Sequence, residues 1–268
     1  MVPSGGSPAL SEIISRSLGQ IRKREAPATG QRNAGEECEF EIAPGVKMVM
    51  CWIPPGEFLM GSPEEYETQH RVMITQGFWL AKTPTTQAQW QAVMGSNPSH
   101  FQGRDLPVEQ VSWIDICVNE SGTLGFLREL NKRVPTGGLF NLPTEAQWEY
   151  ACRAGTTGPY VGNLDEMGWH DANSDGKTHP VGQKKPNAWG LHETYGNVFE
   201  WCSDWYGDYD VINVTDPKGP ASGTDRVIRG CYWGYAAYYC RVAYRRYYGP
   251  AHFNNDGLGF RVARSSVP

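Results

Sequence analysis

Glycine and proline punctuate this sequence from end to end and limit the length of every regular element. The chain has 268 residues, of which 31 are Gly and 19 are Pro. Because both residue types mark turns, long uninterrupted helices and strands are excluded. The 10 tryptophans indicate a core set among loops. The pattern favours an α+β fold with many loops, short mixed or antiparallel strands and a few helices over a helical bundle or a doubly wound sheet.

Polar residues at helix starts and alternating apolar runs locate the regular elements. Thr86 and Thr144 are each followed by Gln three residues later, so the hydroxyl can accept from a backbone amide while the Gln reaches back. Ser112 with Asp115 is a weaker version. These signals predict helices over 86–94, 113–132 and 145–153, the second broken by glycines at 122 and 125. Strands are predicted in two runs within 40–53, at 58–61 and over 72–82.

Charge and hydropathy exclude two broad classes of protein. A net charge of −5 opposes general binding to a nucleic-acid backbone. No apolar run approaches the roughly 18 residues that span a bilayer, so membrane insertion is not expected. Residues 1–36 show no apolar stretch of a secretory signal and no Cys for lipidation. We therefore expect a cytoplasmic chain as supplied, whereas surface display would require a removed signal or another export route.

Residues 1–36 form an N-terminal extension to a domain expected over 37–268. Four apolar residues of Ser11–Lys23 fall on one face of a predicted helix, and a Gly-, Ala- and Pro-containing linker follows. Two interpretations remain: a loosely packed extension or an oligomerisation helix. The oligomeric state is not predicted.

Seven ordered stretches of the chain are similar to one protein family. They are PGEFLMG (55–61), PVEQVSW (107–113), LPTEAQWEYA (142–151), PNAWGL (186–191), GNVFEW (196–201), RVIRG (226–230) and GFRV (259–262). Together they resemble the formylglycine-generating-enzyme (sulfatase-modifying factor) family over about 40–266. The resemblance implies a C-type-lectin-like fold. It says less about function, because one fold hosts many functions.

The same resemblance implies a copper-dependent oxidase, and one position opposes that activity. The family pattern places a Cys-x4-Cys pair after an Arg-Gly-Gly-Ser-Trp-like stretch. Here the second cysteine matches Cys240, but Tyr235 stands at the first position. Since soft thiolates suit Cu(I) and a phenol does not, we expect no copper and no required cofactor. Cys231 is a different loop position that need not face Cys240.

A calcium loop is the second expectation that the resemblance carries. In GLHETYGNVFEW (190–201), Glu193 and Glu200 would supply carboxylates, and Gly196 and Val198 would supply carbonyl oxygens. Such mixed oxygen donors are those that Ca2+ uses. The alternative is that Asn197 and Glu200 only hydrogen-bond the loop.

The C-terminal region has an unusual composition. Seven of the 13 tyrosines lie between 232 and 248, and no Lys, Glu, Gln or Met follows Lys218. Random substitution in the first two bases of Asn codons yields Tyr, Gly, Ala, Arg, His or Phe but never those four residues. Tyr with small neighbours is also the composition of an adaptable binding surface. The region about 226–263 therefore resembles the variable proteins of diversity-generating retroelements, in which a reverse transcriptase mutagenises adenines of a template. The alternative is an aromatic-rich loop of an ordinary family member.

The unusual residues alternate with recognisable ones, which assigns the ligand-binding positions. The variable positions are Tyr232, Gly234, Tyr235, Ala236, Tyr238, Tyr239, Tyr244, Arg246, Tyr247, Tyr248, Gly249, Ala251, His252 and Phe253. Trp233 is expected to be buried, and Tyr238, Tyr239, Tyr247 and Tyr248 to be exposed on one face. We predict a non-enzymatic, receptor- or adhesin-like protein for a macromolecular ligand, most simply a protein, with sugar recognition as an alternative. A formylglycine-generating oxidase is the disfavoured second hypothesis.

Overall fold

The computed structural model describes residues 32–64, 67–117, 125–135, 138–209, 212–253 and 255–265. Its compact unit begins at Arg32. The Gly35 amide donates to the Trp52 carbonyl at 2.9 Å, and the Trp52 amide donates to the Glu36 carbonyl at 2.8 Å. The compact unit therefore includes residues 32–36, which the sequence analysis assigned to the extension. The predicted helix Ser11–Lys23 lies outside the described residues.

The helices of the described residues are α1 (Gln87–Met94), α2 (Trp113–Cys117), α3 (Phe126–Arg133), α4 (Glu145–Arg153) and α5 (Leu164–Met167). Three of them, α1, α2 and α4, begin where the capping signals predict, whereas α5 was not predicted. Thr86 and Thr144 each form the complete capping box with the Gln three residues later. The predicted break in the second helix is also present, since Gly125 is the N-cap of α3.

The strands are short, as the glycine and proline content predicts. They are β1 (Glu37–Ala43), β2 (Val46–Ile53), β3 (Gly56–Met60), β4 (His70–Ile74), β5 (Phe78–Ala81), β6 (Phe140–Asn141), β7 (Gly168–Trp169), β8 (Tyr195–Gly196), β9 (Phe199–Trp205), β10 (Val214–Thr215), β11 (Arg226–Arg229), β12 (Arg245–Tyr248), β13 (Leu258–Gly259) and β14 (Ala263–Ser265). In the described part of the chain they form sheets of order β1-β2-β5-β14-β6, β12-β11-β9-β13, β10-β4-β3 and β7-β8.

The single strand predicted over 72–82 is wrong. The segment forms β4 and β5, which belong to different sheets, with a break at Thr75–Gly77. A Cβ atom at Gly77 would lie 2.3 Å from the ring of Trp52. The chain therefore turns where only glycine fits against that ring, a contact that alternation of residue types along the sequence does not encode.

The fold is the predicted α+β, C-type-lectin-like arrangement. The C-terminal strands β11, β12 and β13 join the core by sharing one sheet with β9. Strand β11 lies between β9 and β12. Trp201 on β9 and Trp148 on α4 are fully buried beneath this sheet. None of the helices that the structure describes has the length and apolar character to cross a bilayer.

Candidate ligand-binding face

Strands β11 and β12 carry the tyrosine-rich region. They are antiparallel, with Arg229 opposite Arg245. Residues 230–244 leave the sheet between these strands and include one turn of 3-10 helix, Ala237–Cys240. The next loop returns to the same end of the sheet, because Leu258 on β13 pairs with Phe199 while Arg229 pairs with Glu200. The two loops therefore lie side by side.

Buried arginines fix both ends of the 230–244 loop. The Arg229 guanidinium donates to the carbonyls of Ala243 (2.8 Å) and Val242 (3.1 Å) and pairs with Glu149 of α4. Arg245 donates to both oxygens of Glu145, also on α4, at 2.9 and 2.7 Å. Bidentate geometry between buried charged groups is both strong and specific. Both ends of the loop are therefore held to α4 by buried arginines.

The charges around Glu145 set its protonation. Burial by itself would raise the pKa of Glu145, but the neighbouring guanidinium groups of Arg245 and Arg229 hold that pKa below its usual value. The carboxylate is therefore ionised at neutral pH, as an ion pair with Arg245 requires.

Two further arginines of the region pair with carboxylates from earlier in the chain. Arg241 donates to Glu67 at 3.0 and 3.3 Å. Arg261 donates to both oxygens of Glu200 at 2.6 and 2.7 Å. Since no Glu follows residue 218, the anchoring carboxylates all lie outside the tyrosine-rich region.

Burial varies from residue to residue along the tyrosine-rich region. Every assigned variable position is exposed or half-buried: Ala236, Tyr238, Tyr239, Arg246, Tyr247, Ala251 and Phe253 are exposed, and Tyr232, Gly234, Tyr235, Tyr244, Tyr248, Gly249 and His252 are half-buried. Of the intervening residues, Cys231, Cys240, Val242, Ala243 and Arg245 are buried, whereas Trp233, Ala237, Arg241 and Pro250 are half-buried. The fully buried side chains of the region thus lie outside the set assigned to ligand binding.

The aromatic side chains form a continuous surface, here called the aromatic face (Tyr232, Tyr235, Tyr238, Tyr239, Tyr244). Ring centroids of successive neighbours are 4.6 Å apart for Tyr232 and Tyr235, 5.2 Å for Tyr235 and Tyr239, 5.4 Å for Tyr238 and Tyr239, and 5.3 Å for Tyr239 and Tyr244. Phe199 underlies one end, with its ring 5.6 Å from Tyr232 and 5.5 Å from Tyr235. Tyr238 at the other end is 52% exposed.

Three expectations about individual side chains need correction. Trp233 is half-buried rather than buried, and its indole donates to the Asp256 carbonyl at 3.2 Å. Tyr248 is half-buried because it stacks on His252 with centroids 4.4 Å apart. Tyr247 is exposed but contacts Tyr206, 4.3 Å away, which also lies beneath Arg245. Since neighbours along a strand point to opposite faces, Tyr247 is on the other side of the sheet from Arg246 and Tyr248.

The two cysteines of the loop are in contact, which the sequence did not predict. The sulfur atoms of Cys231 and Cys240 are 2.7 Å apart and buried. Two in-line metal–sulfur bonds of about 2.3 Å would instead separate the sulfurs by about 4.6 Å. Tyr235, at the other candidate position, is packed between aromatic rings, and burial raises its pKa away from the phenolate form. A copper ion between two thiolates does not fit these residues.

The candidate calcium carboxylates have other partners. Glu193 accepts from the amides of Gly182 (2.9 Å) and Lys184 (3.3 Å). Glu200 accepts from Arg261 and from the Trp148 indole, the latter at 2.7 Å. Gly196 and Val198 are buried, and the Val198 amide donates to the Gly196 carbonyl at 2.8 Å.

This loop corresponds to the hydrogen-bonded alternative rather than to a calcium site. Asn197 supports that reading, since its side chain accepts from the His179 amide and donates to the His179 carbonyl. In the part of the chain that is described, no three His, Cys, Asp or Glu side chains converge as metal ligands. The residues present do not fit a calcium ion.

Several residues that support the face were missed by sequence reasoning. Tyr160 donates its hydroxyl to the Ala237 carbonyl at 2.8 Å, and Ser174 donates to the Trp233 carbonyl at 2.8 Å. Glu64 accepts from the Tyr238 hydroxyl at 3.2 Å. These residues lie more than 50 positions from their partners, and no local pattern marks them.

Comparisons with known proteins agree with this architecture. The sequence is 33% identical over 224 residues to the formylglycine-generating enzyme of Mus musculus, covering 74% of this chain but only 54% of that protein. It is 30% identical over 241 residues to the chaperone protein LppX of Paenibacillus barcinonensis, covering 70% of this chain and 80% of that one. The chain thus spans about half the length of the mouse enzyme.

Solved structures give the same fold. Treponema denticola variable protein 1 superposes with a TM-score of 0.77 and 30% identity, covering 85% of this chain and 99% of that one. PvdO from Pseudomonas aeruginosa, at 24% identity, gives a TM-score of 0.71 over 88% of this chain and 100% of that one, a likeness of fold alone. The family model of the sulfatase-modifying factor enzyme 1-like domain matches residues 41–266. The chain therefore belongs to the sulfatase-modifying factor enzyme 1-like (FGE-sulfatase) family.

Proposed function

We propose that this chain is a non-enzymatic binding protein whose aromatic face and adjoining loop are diversified by a retroelement. One observation carries the proposal: every position whose residue is reachable from an Asn codon and was assigned as variable is exposed or half-buried. Among the residues that interrupt them, Cys231, Cys240, Val242, Ala243 and Arg245 are buried. Substitutions at surface positions away from such anchors usually change stability by no more than about 0.5 kcal/mol, so the surface can vary while the domain stays folded.

The similarity to a Treponema denticola variable protein supports this reading over catalysis. The oxidase alternative has support from the relatives named formylglycine-generating enzyme. It is disfavoured here because Tyr235 supplies a half-buried phenol where a thiolate is needed, and because Cys240 contacts Cys231 instead.

A macromolecule, most simply a protein, is the ligand class that this surface suits best. Tyr gives a large amphipathic contact area at low entropic cost and is enriched where binding energy concentrates. The face presents adjoining exposed rings, Tyr238 and Tyr239 at 52% and 41%, whereas a cavity of about 630 Å³ opens elsewhere, beside Trp113 and Phe140. Small ligands prefer concave pockets. Sugar binding is therefore the weaker alternative.

The genetic part of the proposal is tested in the DNA beside the gene. We expect a near-identical repeat of the segment encoding residues 226–263, with Asn codons at the assigned positions and a reverse-transcriptase gene nearby. Sequencing many copies of the gene from one culture should show changes at those codons and none at Arg229, Cys240 or Arg245. A single invariant copy without a repeat contradicts diversification.

The binding part is tested with two displayed libraries. The first randomises the assigned variable positions with codons ending in C or T, and the control randomises Glu57, Leu59, Arg71 and Met73 on the solvent-facing side of β3 and β4. After selection against hen lysozyme as probe, we expect folded binders from the first library and far fewer from the second. Equal yields, or no folded members in the first library, contradict a dedicated variable face.

A further inference from the structure

Cys231 and Cys240 lie at the two ends of the most aromatic part of the loop. Their sulfur atoms are closer together than the usual contact distance of non-bonded atoms. The separation is 2.7 Å. Non-bonded heavy atoms settle about 3.5–4.0 Å apart, and a disulfide bond is about 2.05 Å long. The backbone therefore already brings the two sulfurs within a fraction of an ångström of bonding distance.

The backbone at Cys231 gives a second, independent indication. Its φ angle is 69°, in the left-handed region that glycine occupies without strain and that other residues seldom adopt. The preceding residue, Gly230, also has a positive φ angle. Glycine would adopt this conformation without strain, yet the position holds a cysteine whose sulfur contacts a second sulfur. This combination points to a role for the thiol itself.

We propose that Cys231 and Cys240 form an intrachain disulfide, with a low-molecular-weight or protein disulfide as the oxidant. The two thiols lose two protons and two electrons in total. One thiolate attacks the oxidant to give a mixed disulfide and release the first thiol; the second attacks the protein sulfur of that intermediate and releases the other. The bond closes a covalent loop of residues 231–240, which includes Tyr232, Tyr235, Tyr238 and Tyr239.

Such a bond would fix the loop through side chains that face the interior. Both sulfurs lie beneath the loop, with Cys231 0% and Cys240 1% exposed. The residues between them are held by few backbone bonds, among them Tyr235 amide to Tyr232 carbonyl at 3.1 Å and Tyr239 amide to Ala236 carbonyl at 2.9 Å. A covalent closure restricts the unfolded loop without using any residue of the aromatic face.

The route to the bond follows from burial. Burial raises the pKa of the Cys231 thiol well above its usual value, and the thiolate is the attacking species. The folded, reduced protein should therefore oxidise slowly, and oxidation should proceed while the chain folds and both thiols are accessible. The experiment accordingly refolds the protein in the presence of the oxidant.

The test is a peptide measurement on the full chain refolded at pH 8 with excess oxidised glutathione, then alkylated in denaturant and cut with trypsin. Cleavage after Arg229 and Arg241 releases Gly230–Arg241, which contains Cys231, Cys240 and no other cysteine. We expect this peptide unalkylated and about 2 Da lighter than its reduced form, since two hydrogens are lost. Alkylation of both cysteines, a stable glutathione adduct, or a link to another cysteine overturns the proposal.

Two cysteine variants test whether the disulfide forms specifically between Cys231 and Cys240. Cys38→Ser, at a half-buried cysteine of β1, should leave the bridged peptide unchanged, whereas Cys231→Ser should leave Cys240 alkylated. In the wild-type chain, oxidation should raise the melting temperature by about 5 °C, and Cys231→Ser should show no such rise. These readouts need no ligand, so they stand or fall independently of the proposed binding function.

Discussion

Two adjacent arginines of β12 provide the sharpest test of the division between anchor and surface. Arg245 and Arg246 are consecutive residues of one strand, so their side chains point to opposite faces of the sheet. Arg245 is buried and Arg246 is exposed. Replacing each with Ala is therefore the same chemical change, one residue apart, in opposite environments.

The expected magnitudes follow from the contacts that each variant loses. Arg245→Ala removes a bidentate ion pair with Glu145 and a hydrogen bond to the Gly207 carbonyl at 2.8 Å. Removing one partner of a buried pair costs about 3–5 kcal/mol, because the other charge is left uncompensated. Arg229 remains 3.5 Å from Glu145, which favours the lower end of this range. Arg246→Ala loses contacts to the Tyr244 and Tyr248 hydroxyls at an exposed site, which costs about 0.5 kcal/mol.

Urea denaturation followed by tryptophan fluorescence measures both free energies of unfolding. We expect Arg245→Ala to shift the midpoint strongly with an unchanged m-value, and Arg246→Ala to leave it nearly in place. Arg245→Lys is the control, since it retains a charge but loses the bidentate geometry. If Arg246→Ala destabilises the protein as much as Arg245→Ala, the region is structural throughout and the separation of roles fails.

Four further outcomes are expected. Purified protein with copper and a Cys-containing sulfatase peptide should yield no aldehyde above background by mass spectrometry, and turnover would restore the oxidase hypothesis. EDTA should leave the melting temperature unchanged, because the loop carboxylates are held by amides and arginine; a fall on chelation would restore the calcium site. Burial raises the pKa of Glu109 to about 7, so its protonated form is favoured on folding, and stability is lost as pH rises through 7. Glu109→Gln should therefore melt higher than wild type at pH 8 and similarly at pH 5; a gap independent of pH contradicts this assignment. Tyr232→Ser should destabilise more than Tyr238→Ser in urea, because Tyr232 packs on Phe199 and Gly257 while Tyr238 is 52% exposed; equal effects would contradict graded packing.

Helix positions were predictable because their signals are local. The Thr–Gln boxes at 86 and 144 place the start of α1 and α4 from residues three apart. The break between β4 and β5 was not predictable, because it depends on the ring of Trp52 lying against Gly77. Alternation along a sequence does not show when a strand changes sheets.

The site divides in the same way. The candidate variable positions were assigned from residue types, because the proposed mutation of Asn codons would limit which residues can appear there. The anchors could not, because Glu149 lies 80 residues from Arg229, and Glu67 lies 174 residues from Arg241. The contact between Cys231 and Cys240 depends on the left-handed backbone at Cys231 and on the 3-10 turn that ends at Cys240. A spacing of nine residues alone does not indicate either feature.

The aromatic face is graded in depth, and this gradation would let the proposed variable surface change while the domain beneath it stays folded. Tyr232 and Tyr235 pack on Phe199, Tyr239 packs on Tyr235, and Tyr238 packs on Tyr239 at the exposed end. Each ring is thus supported by the one beneath it, while Arg229 and Arg245 hold the backbone to α4 without contributing to the exposed surface. A substitution at the outer end removes contacts from one neighbour, whereas a substitution at the inner end also unsettles every ring above it. The range of residues compatible with folding should therefore widen from Tyr232 towards Tyr238, even though the proposed diversification would reach all of these codons alike.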